Sequence, residues 1–169
     1  MKKVLMVLCG LTLLNGCSKD EKFVSAEEQL AIDIVKIDNY LVENSITALP
    51  INDYSPLRFE GDTGLRYVID VEGIGASPDL NNIVVVKYEG RLLSDGTVFD
   101  TSENSEEKKF EALLGGGLID GWKIGIPFLK EGGSGTLYIP SGWAYGRNGR
   151  GTIPGNAILI FDIELLEVK

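Results

Sequence analysis

Aromatic side chains are the residues of this sequence whose types and positions best fit a binding or catalytic site. Six of them, spread over the C-terminal part of the chain, are the strongest candidates: Tyr88, Phe99, Phe110, Trp122, Tyr145 and Phe161. Histidine is absent, which excludes a Ser-His-Asp triad, a His-based metal site and a His general base. A site built from the aromatic residues must therefore work without an imidazole. Spacing alone favours the alternative that all six are core residues, because aromatic rings usually fill protein cores.

A second candidate is the glycine-rich stretch "GWAYGRNGRGTIPGN" at 142–156, which carries two arginines in a chain of net charge −9. Its glycines raise the alternative of a phosphate-cradling loop and thus of a nucleotide-binding protein. A P-loop, however, has a lysine after its last glycine and leads from a strand into a helix. Here Thr152 follows Gly151, and the stretch continues through Pro154 into a predicted strand. The nucleotide interpretation depends on this stretch alone, and the acidic net charge argues against a nucleic-acid partner.

The elements that must position these residues begin with a helix predicted over 25–46. Ser25 and Glu28 have the spacing of a capping box. Apolar residues follow the helical period along one face: Leu30, Ile34, Ile37 and Leu41. Such a stripe favours packing on the helix's own domain or on a twin helix in a homodimer over ligand binding. The tract 48–64 contains Pro50, Pro56 and Gly61 and is predicted to be a linker.

Strands and turns dominate after this tract. The segments 65–73, 83–93, 135–140 and 157–169 are rich in β-branched and aromatic residues, and the "SDGT" at 94–97 predicts a hairpin. In the last segment an apolar face alternates with acidic residues. The segment 118–129 fits a single short helix. About five antiparallel strands around one short helix indicate an α+β fold.

Four motifs within this region resemble the signatures of the FKBP-type peptidyl-prolyl cis-trans isomerases. They are "VVVKYEGRLLSDGTVFDTS", "FEALLGGGLIDGW", "WAYG" and "IPGNAILIFDIELLEV", and they occur in register over about residues 63–169. The resemblance implies an antiparallel half-barrel sheet wrapped around one short helix, with an apolar pocket for a substrate proline between them. It implies neither a cofactor nor a metal, and it extends to the binding of the family's macrolide inhibitors.

The resemblance also assigns residues to this pocket. The catalytic group it implies is Tyr88, Phe99, Asp100 and Tyr145. The substrate-binding group it implies is Phe110, Leu118, Ile119, Trp122, Ile153 and Phe161. The tryptophan matches the pocket floor, the Tyr145 hydroxyl and the Ile119 N–H match donors to substrate carbonyls, and the glycine-rich stretch becomes a flap over the pocket with rim charges at Arg147 and Arg150.

The chain departs from the family pattern at three points. The family often has Pro-Pro where this chain has Pro154-Gly155, and some members carry a histidine in the loop where this chain has Asn148 to Arg150. An arginine that often pairs with the Phe-Asp aspartate has no clear match, since only Lys108 and Lys109 lie nearby in sequence. The ion pairing of Asp100 is therefore open, and a role as a turn residue remains an alternative for it.

The chemistry of prolyl isomerisation fits a chain without histidine. The peptide C–N bond resists rotation by roughly 18–20 kcal/mol because of amide resonance, and X-Pro bonds populate both isomers and exchange slowly. Rotation breaks the resonance and makes the amide less polar, so an apolar pocket favours the twisted form over the planar one. The reaction needs neither a nucleophile nor a proton acceptor.

The N-terminus resembles a bacterial lipoprotein signal. Lys2 and Lys3 precede a short apolar run at 4–14, and "LNGC" ends in Cys17, the expected lipidation site. The run is short for a membrane span. We expect a signal peptide over 1–16 that is removed, a lipidated N-terminus with helix and linker over 17–62, and an isomerase domain over 63–169. An ordinary secretory signal with an incidental cysteine is the alternative.

These expectations combine into a lipid-anchored enzyme of the bacterial cell envelope, at the outer membrane on its periplasmic face or at the cell surface. It would rotate X-Pro bonds in exported proline-containing polypeptides and so assist their folding. The alternative is a non-catalytic proline-binding chaperone or envelope assembly module that keeps a vestigial pocket.

Overall fold

The computed structural model describes residues 24–53, 56 and 59–169. The expected signal peptide and the lipidation site Cys17 lie outside them. Within these residues the chain forms two α-helices and seven strands, in this order: α1 Ala26–Glu43, β1 Leu49–Asn52, β2 Asp62–Val71, β3 Ile83–Leu92, β4 Val98–Thr101, β5 Phe110–Leu113, α2 Asp120–Gly125, β6 Gly133–Ile139 and β7 Leu159–Val168. No helix in the described part of the chain is both long and apolar enough to cross a bilayer.

All seven strands belong to one antiparallel sheet. The order is β1-β2-β6-β7-β3-β4, and β5 pairs with the first half of β3. β3 therefore pairs with three strands, the short β4 and β5 and the long β7, and β7 in turn pairs with β6. The predicted α+β class, with an antiparallel half-barrel and an N-terminal helix, is confirmed.

The short helix α2 packs against the inner face of this sheet. Leu159, Phe161, Ile163 and Leu165 of β7 are all buried in the main core, as the sequence predicts. The opposite face carries Asp162 and Glu164, and also Ile160, which is buried in a second cluster. Gly125 lets α2 approach β6 closely, because a Cβ there would lie 2.5 Å from the Leu137 side chain. The helix is shorter than predicted, and a 3₁₀ turn, Ile126–Phe128, continues from it at Pro127, where a proline cannot extend α-helical hydrogen bonding.

Helix α1 packs on the outer face of the same sheet. The capping box is present, since the Ser25 hydroxyl accepts the Glu28 N–H and the Glu28 carboxylate accepts the Ser25 N–H. Ile37 and Leu41 form a second core with three residues of the sheet side: Tyr138, Ile158 and Ile160. The apolar stripe thus packs on its own domain, which is one of the two arrangements left open by the sequence.

The tract 48–64 is not a plain linker, and this part of the prediction was wrong. It contains β1, which pairs antiparallel with β2, and the Thr63 hydroxyl donates to the Ile51 carbonyl over 2.6 Å. Pro50 and the turn residues that surround β1 make the tract look irregular, but β1 lies at an edge of the sheet, where a proline is tolerated. The sheet therefore begins upstream of the segment that resembles the isomerase family.

Candidate active site

A cavity of about 180 Å³ lies beside α2. Its walls come from β3, β4, β5, β7, the segment that precedes α2, the first turn of α2, and the loop between β6 and β7. The lining residues are Tyr88, Asp100, Phe110, Gly117, Leu118, Ile119, Trp122, Tyr145, Arg150 and Phe161. Five of the ten lining residues are aromatic, and Asp100 and Arg150 add polar groups. The cavity therefore offers rings to a ring-sized guest and hydrogen-bonding groups to the backbone on either side of it.

Trp122 is the centre of an aromatic cluster. It is held in the first turn of α2, where its N–H donates to the Ile119 carbonyl over 3.1 Å. Its ring is 5.1 Å from that of Tyr88, 5.2 Å from that of Phe161 and 6.1 Å from that of Phe110, each close to edge-on. Such edge-to-face contacts stabilise ring pairs beyond their buried area. The indole Nε1–H is buried and has no acceptor among the described residues.

Tyr88 and Asp100 form a hydrogen-bonded pair at the cavity. The antiparallel pairing of β3 with β4 brings them together, and the Tyr88 hydroxyl donates to the Asp100 carboxylate over 2.8 Å. Burial and this nearby carboxylate raise the pKa of Tyr88 well above its usual value, so the phenol stays protonated. Lys108 and Lys109 pair with other carboxylates, and no salt bridge to Asp100 occurs in the part of the chain that the structure describes. The missing arginine partner is thus not replaced by a lysine.

The loop between β6 and β7 contains the glycine-rich stretch. It forms two 3₁₀ turns, Ser141–Trp143 and Gly146–Asn148, and leads into β7 without the helix that a P-loop needs. Tyr145 lies between these turns, and the Arg150 guanidinium is 5.7 Å from the centre of its ring. Arg150 and Ile153 exchange two backbone hydrogen bonds of 2.9 Å, which closes the tip of the loop.

All but two of the predicted site residues line the cavity. The first exception, Phe99, packs against Phe161 with ring centres 5.6 Å apart, so it supports a wall from behind. Gly90 makes room for both rings, because a Cβ there would lie 2.7–2.8 Å from them. The second exception, Ile153, is 8% exposed and belongs to the main core.

Two lining residues were not among the predicted binding residues. Gly117 belongs to a glycine run whose pattern gives no sign of a binding surface, and Arg150 was expected only as a rim charge. Arg150 could have been found from the composition of the glycine-rich stretch, because two arginines close together are unusual in an acidic chain. No group of three or more potential metal ligands is assembled within residues 24–53, 56 and 59–169.

Curated relatives are similar to this chain in sequence. The chain is 45% identical over 108 residues to a probable FKBP-type peptidyl-prolyl cis-trans isomerase FkpA from Neisseria meningitidis, and 43% identical over 107 residues to FkpA from Escherichia coli. Each match covers 63% of this chain but only 38% of the relative, so the chain spans less than two fifths of their length.

The same relationship appears in three dimensions. The crystal structure of Escherichia coli FkpA matches with a TM-score of 0.66 and 35% identity, covering 85% of this chain and 62% of that one. A peptidyl-prolyl cis-trans isomerase from Pseudomonas syringae pv. tomato matches with a TM-score of 0.63 and 27% identity, covering 87% and 98%.

The family model described as FKBP-type peptidyl-prolyl cis-trans isomerase matches residues 75–166, which is more than half of the chain. This range contains the aromatic cluster, the Tyr88–Asp100 pair and the loop with Tyr145. On this match, the chain belongs to the family of FKBP-type peptidyl-prolyl cis-trans isomerases.

Proposed function

We propose that the protein catalyses cis-trans isomerisation of X-Pro peptide bonds. The observation that carries this proposal is the aromatic cavity beside α2, whose floor and walls are rings held edge-to-face around Trp122. A proline ring is a compact apolar group that fits such a cavity, and family membership independently supports the assignment. The chemistry requires no histidine, which the chain lacks.

Catalysis would follow from binding the twisted amide better than the planar one. Amide resonance is lost at the transition state, so the carbonyl and nitrogen carry less charge there than in the planar amide. Moving the bond from water into contact with the aromatic rings of the cavity therefore costs less for the twisted form, and the barrier of roughly 18–20 kcal/mol falls by this difference. No covalent bond is made or broken.

The apolar residues would hold the proline ring by shape. We assign Trp122 to the floor of the cavity and place the ring between the aromatic and aliphatic walls. The wall residues in this proposal are Tyr88, Phe110, Leu118 and Phe161, with Phe99 and Ile153 supporting them from outside the cavity surface.

The polar groups would fix the orientation of the substrate backbone. The Tyr145 hydroxyl would donate to a substrate carbonyl, and so would the backbone N–H of Ile119, which precedes the first helical hydrogen bond of α2. Asp100 would hold Tyr88 in place through their hydrogen bond or meet the rotating carbonyl. These donors act only on a substrate whose proline ring is seated, because the rings of the cavity set its position.

The direct test is an isomerisation assay with proline-containing tetrapeptides, measured by protease coupling or by NMR exchange. We expect the purified protein to accelerate cis-to-trans exchange in proportion to its concentration, and a macrolide inhibitor of the family to suppress this acceleration. Binding of proline peptides without acceleration would instead support the non-catalytic chaperone or assembly module. Absence of both would overturn the assignment of the cavity.

We further propose that the enzyme is a lipoprotein acting on exported proteins at the cell envelope, in the outer membrane. The basic start, the short apolar run and the "LNGC" motif support this placement, with removal of 1–16, a lipidated segment over 17–62 and the isomerase domain over 63–169. A lipid-modified cysteine bears more than one acyl chain, which suffices for stable anchoring.

Replacing the lipidation site tests the anchor. We expect Cys17→Ser to remove metabolic labelling by radioactive palmitate and to move the protein from the membrane fraction to the soluble fraction, because serine offers no thiol for acylation. Cys9→Ser is the matched control and should leave both readouts unchanged. If Cys17→Ser stays labelled and membrane-bound, the protein is not anchored through this residue.

A further inference from the structure

Asp33 is a buried acidic residue on the apolar face of α1. Its side chain is 0% exposed. One carboxylate oxygen accepts both the backbone N–H and the hydroxyl of Ser141, over 2.8 and 2.5 Å. The other oxygen accepts the side-chain amide of Gln29 over 2.8 Å. Burial of a carboxyl group is costly unless its oxygens are hydrogen-bonded, so this arrangement is a constructed polar contact between the helix and the loop that follows β6.

The contact leads directly to the cavity. Ser141 opens the 3₁₀ turn Ser141–Trp143, and its carbonyl accepts the N–H of Ala144 over 3.1 Å. The next residue is Tyr145, whose side chain lines the cavity. A short series of hydrogen bonds therefore joins Asp33 in α1 to the backbone that positions the Tyr145 hydroxyl.

Other contacts already attach α1 to the sheet. Ile37 and Leu41 pack into the second core, and Asp38 accepts Arg66 over 2.9 Å. The second core includes Ile158, which lies at the far end of the β6–β7 loop, next to β7. The hydrogen bonds of Asp33, by contrast, go to its own helix and to Ser141 at the start of the loop, so Asp33 contributes a connection that docking of α1 on the sheet does not require.

We propose that Asp33 is a positioning residue of the active site, which fixes the start of the β6–β7 loop and through it the place of Tyr145. The proposal rests on the isomerase function proposed above. It makes α1, which lies outside the region matched by the family model, a working part of the catalytic unit.

The test compares two aspartates of the same helix. We expect Asp33→Ala to lower kcat/KM about fourfold, within the range that one or two lost hydrogen bonds produce. Asp38→Ala is the matched control, because it loosens α1 from β2 while Asp62 still pairs with Arg66 over 2.9 Å. The assays are run at a temperature well below the melting temperature of each variant. Under these conditions we expect this control to keep kcat/KM within 1.5-fold of the wild type.

A double-mutant cycle with Tyr145→Phe separates positioning from general destabilisation. If Asp33 acts through the Tyr145 hydroxyl, Asp33→Ala should cost less than about 1.5-fold in the Tyr145→Phe background. An equal loss in both backgrounds, or equal losses in Asp33→Ala and Asp38→Ala, would show a merely structural role and overturn the proposal. Should Asp33→Ala not fold, Asp33→Asn takes its place, with an expected loss of about twofold because its amide oxygen can still accept from Ser141.

Hydrogen exchange keeps this inference separate from the proposed function. In Asp33→Ala or Asp33→Asn the amide of Ala144 should exchange at least about tenfold faster than in the Asp38→Ala control. This readout needs no turnover, so an inactive wild type would overturn the isomerase function alone. Unchanged exchange at Ala144 would overturn the positioning role, whatever the activity of the wild type.

Discussion

Trp122→Ala should reduce kcat/KM for proline peptides by about a hundredfold or more and lower the melting temperature by about 10 °C. Trp122 is 4% exposed and contacts the rings of Tyr88, Phe110 and Phe161. Alanine would remove the floor of the cavity and leave three rings without their common neighbour. Truncating a buried aromatic costs about 3–5 kcal/mol of stability, so the fold weakens together with the site. Thermal denaturation and the peptide assay measure the two effects.

A core variant on the same helix separates loss of the site from loss of stability. Ile124 is fully buried but does not line the cavity. Ile124→Ala should cost about 2–5 kcal/mol of stability, while its kcat/KM stays within about threefold of the wild type at temperatures where it is folded. Wild-type turnover in folded Trp122→Ala would mean that the reaction takes place elsewhere.

Tyr145→Phe should lower kcat/KM about tenfold and leave the free energy of unfolding within about 0.5 kcal/mol of the wild type. A tenfold loss corresponds to about 1.4 kcal/mol, which is the upper range for one neutral hydrogen bond. The Tyr145 hydroxyl has no hydrogen-bond partner among the described residues. Its removal therefore takes away only the hydrogen bond to the substrate carbonyl. Phenylalanine keeps the ring and its contact with Arg150.

The matched control is the same substitution away from the cavity. Tyr138 lies on the outer face of the sheet beneath α1, and Tyr138→Phe should leave kcat/KM unchanged. Steady-state assays at several substrate concentrations show whether the Tyr145→Phe loss falls on kcat, as expected for a bond that strengthens in the transition state. Turnover within twofold of the wild type in Tyr145→Phe would remove the hydroxyl from the mechanism.

The parts of the fold that could be predicted are those with a strong local pattern. The alternation in β7 predicts which of its residues face the core, and the capping box predicts the start of α1. β1 could not be predicted, because a strand of four residues that contains Pro50 has no alternation long enough to recognise. β1 is a strand because the neighbouring β2 offers it hydrogen-bonding partners, and its four residues show no strand pattern of their own.

The site was predictable as a set of residues but not as an arrangement. The resemblance of the motifs to the isomerase family assigns Tyr88 and Trp122 to one cavity. The position of Phe99 behind Phe161 depends on how β4 pairs beside Gly90, which no motif shows. Asp33 illustrates the limit most clearly. An acidic residue on an apolar helical stripe signals a buried polar contact, but its partner Ser141 lies 108 residues away and has no local signature.

The outer strands of the sheet, β1, β4 and β5, are each only four residues long. Unpaired strand edges attract extended segments of other chains, and short edges or edge prolines such as Pro50 blunt this tendency. On the proposed function the clients are unfolded polypeptides, which are the molecules most apt to add to an open edge. Because these edges are short, a client would bind at the cavity and would not pair with the sheet. A chain released after rotation of its proline bond would then be free to fold and would not be captured as an additional strand.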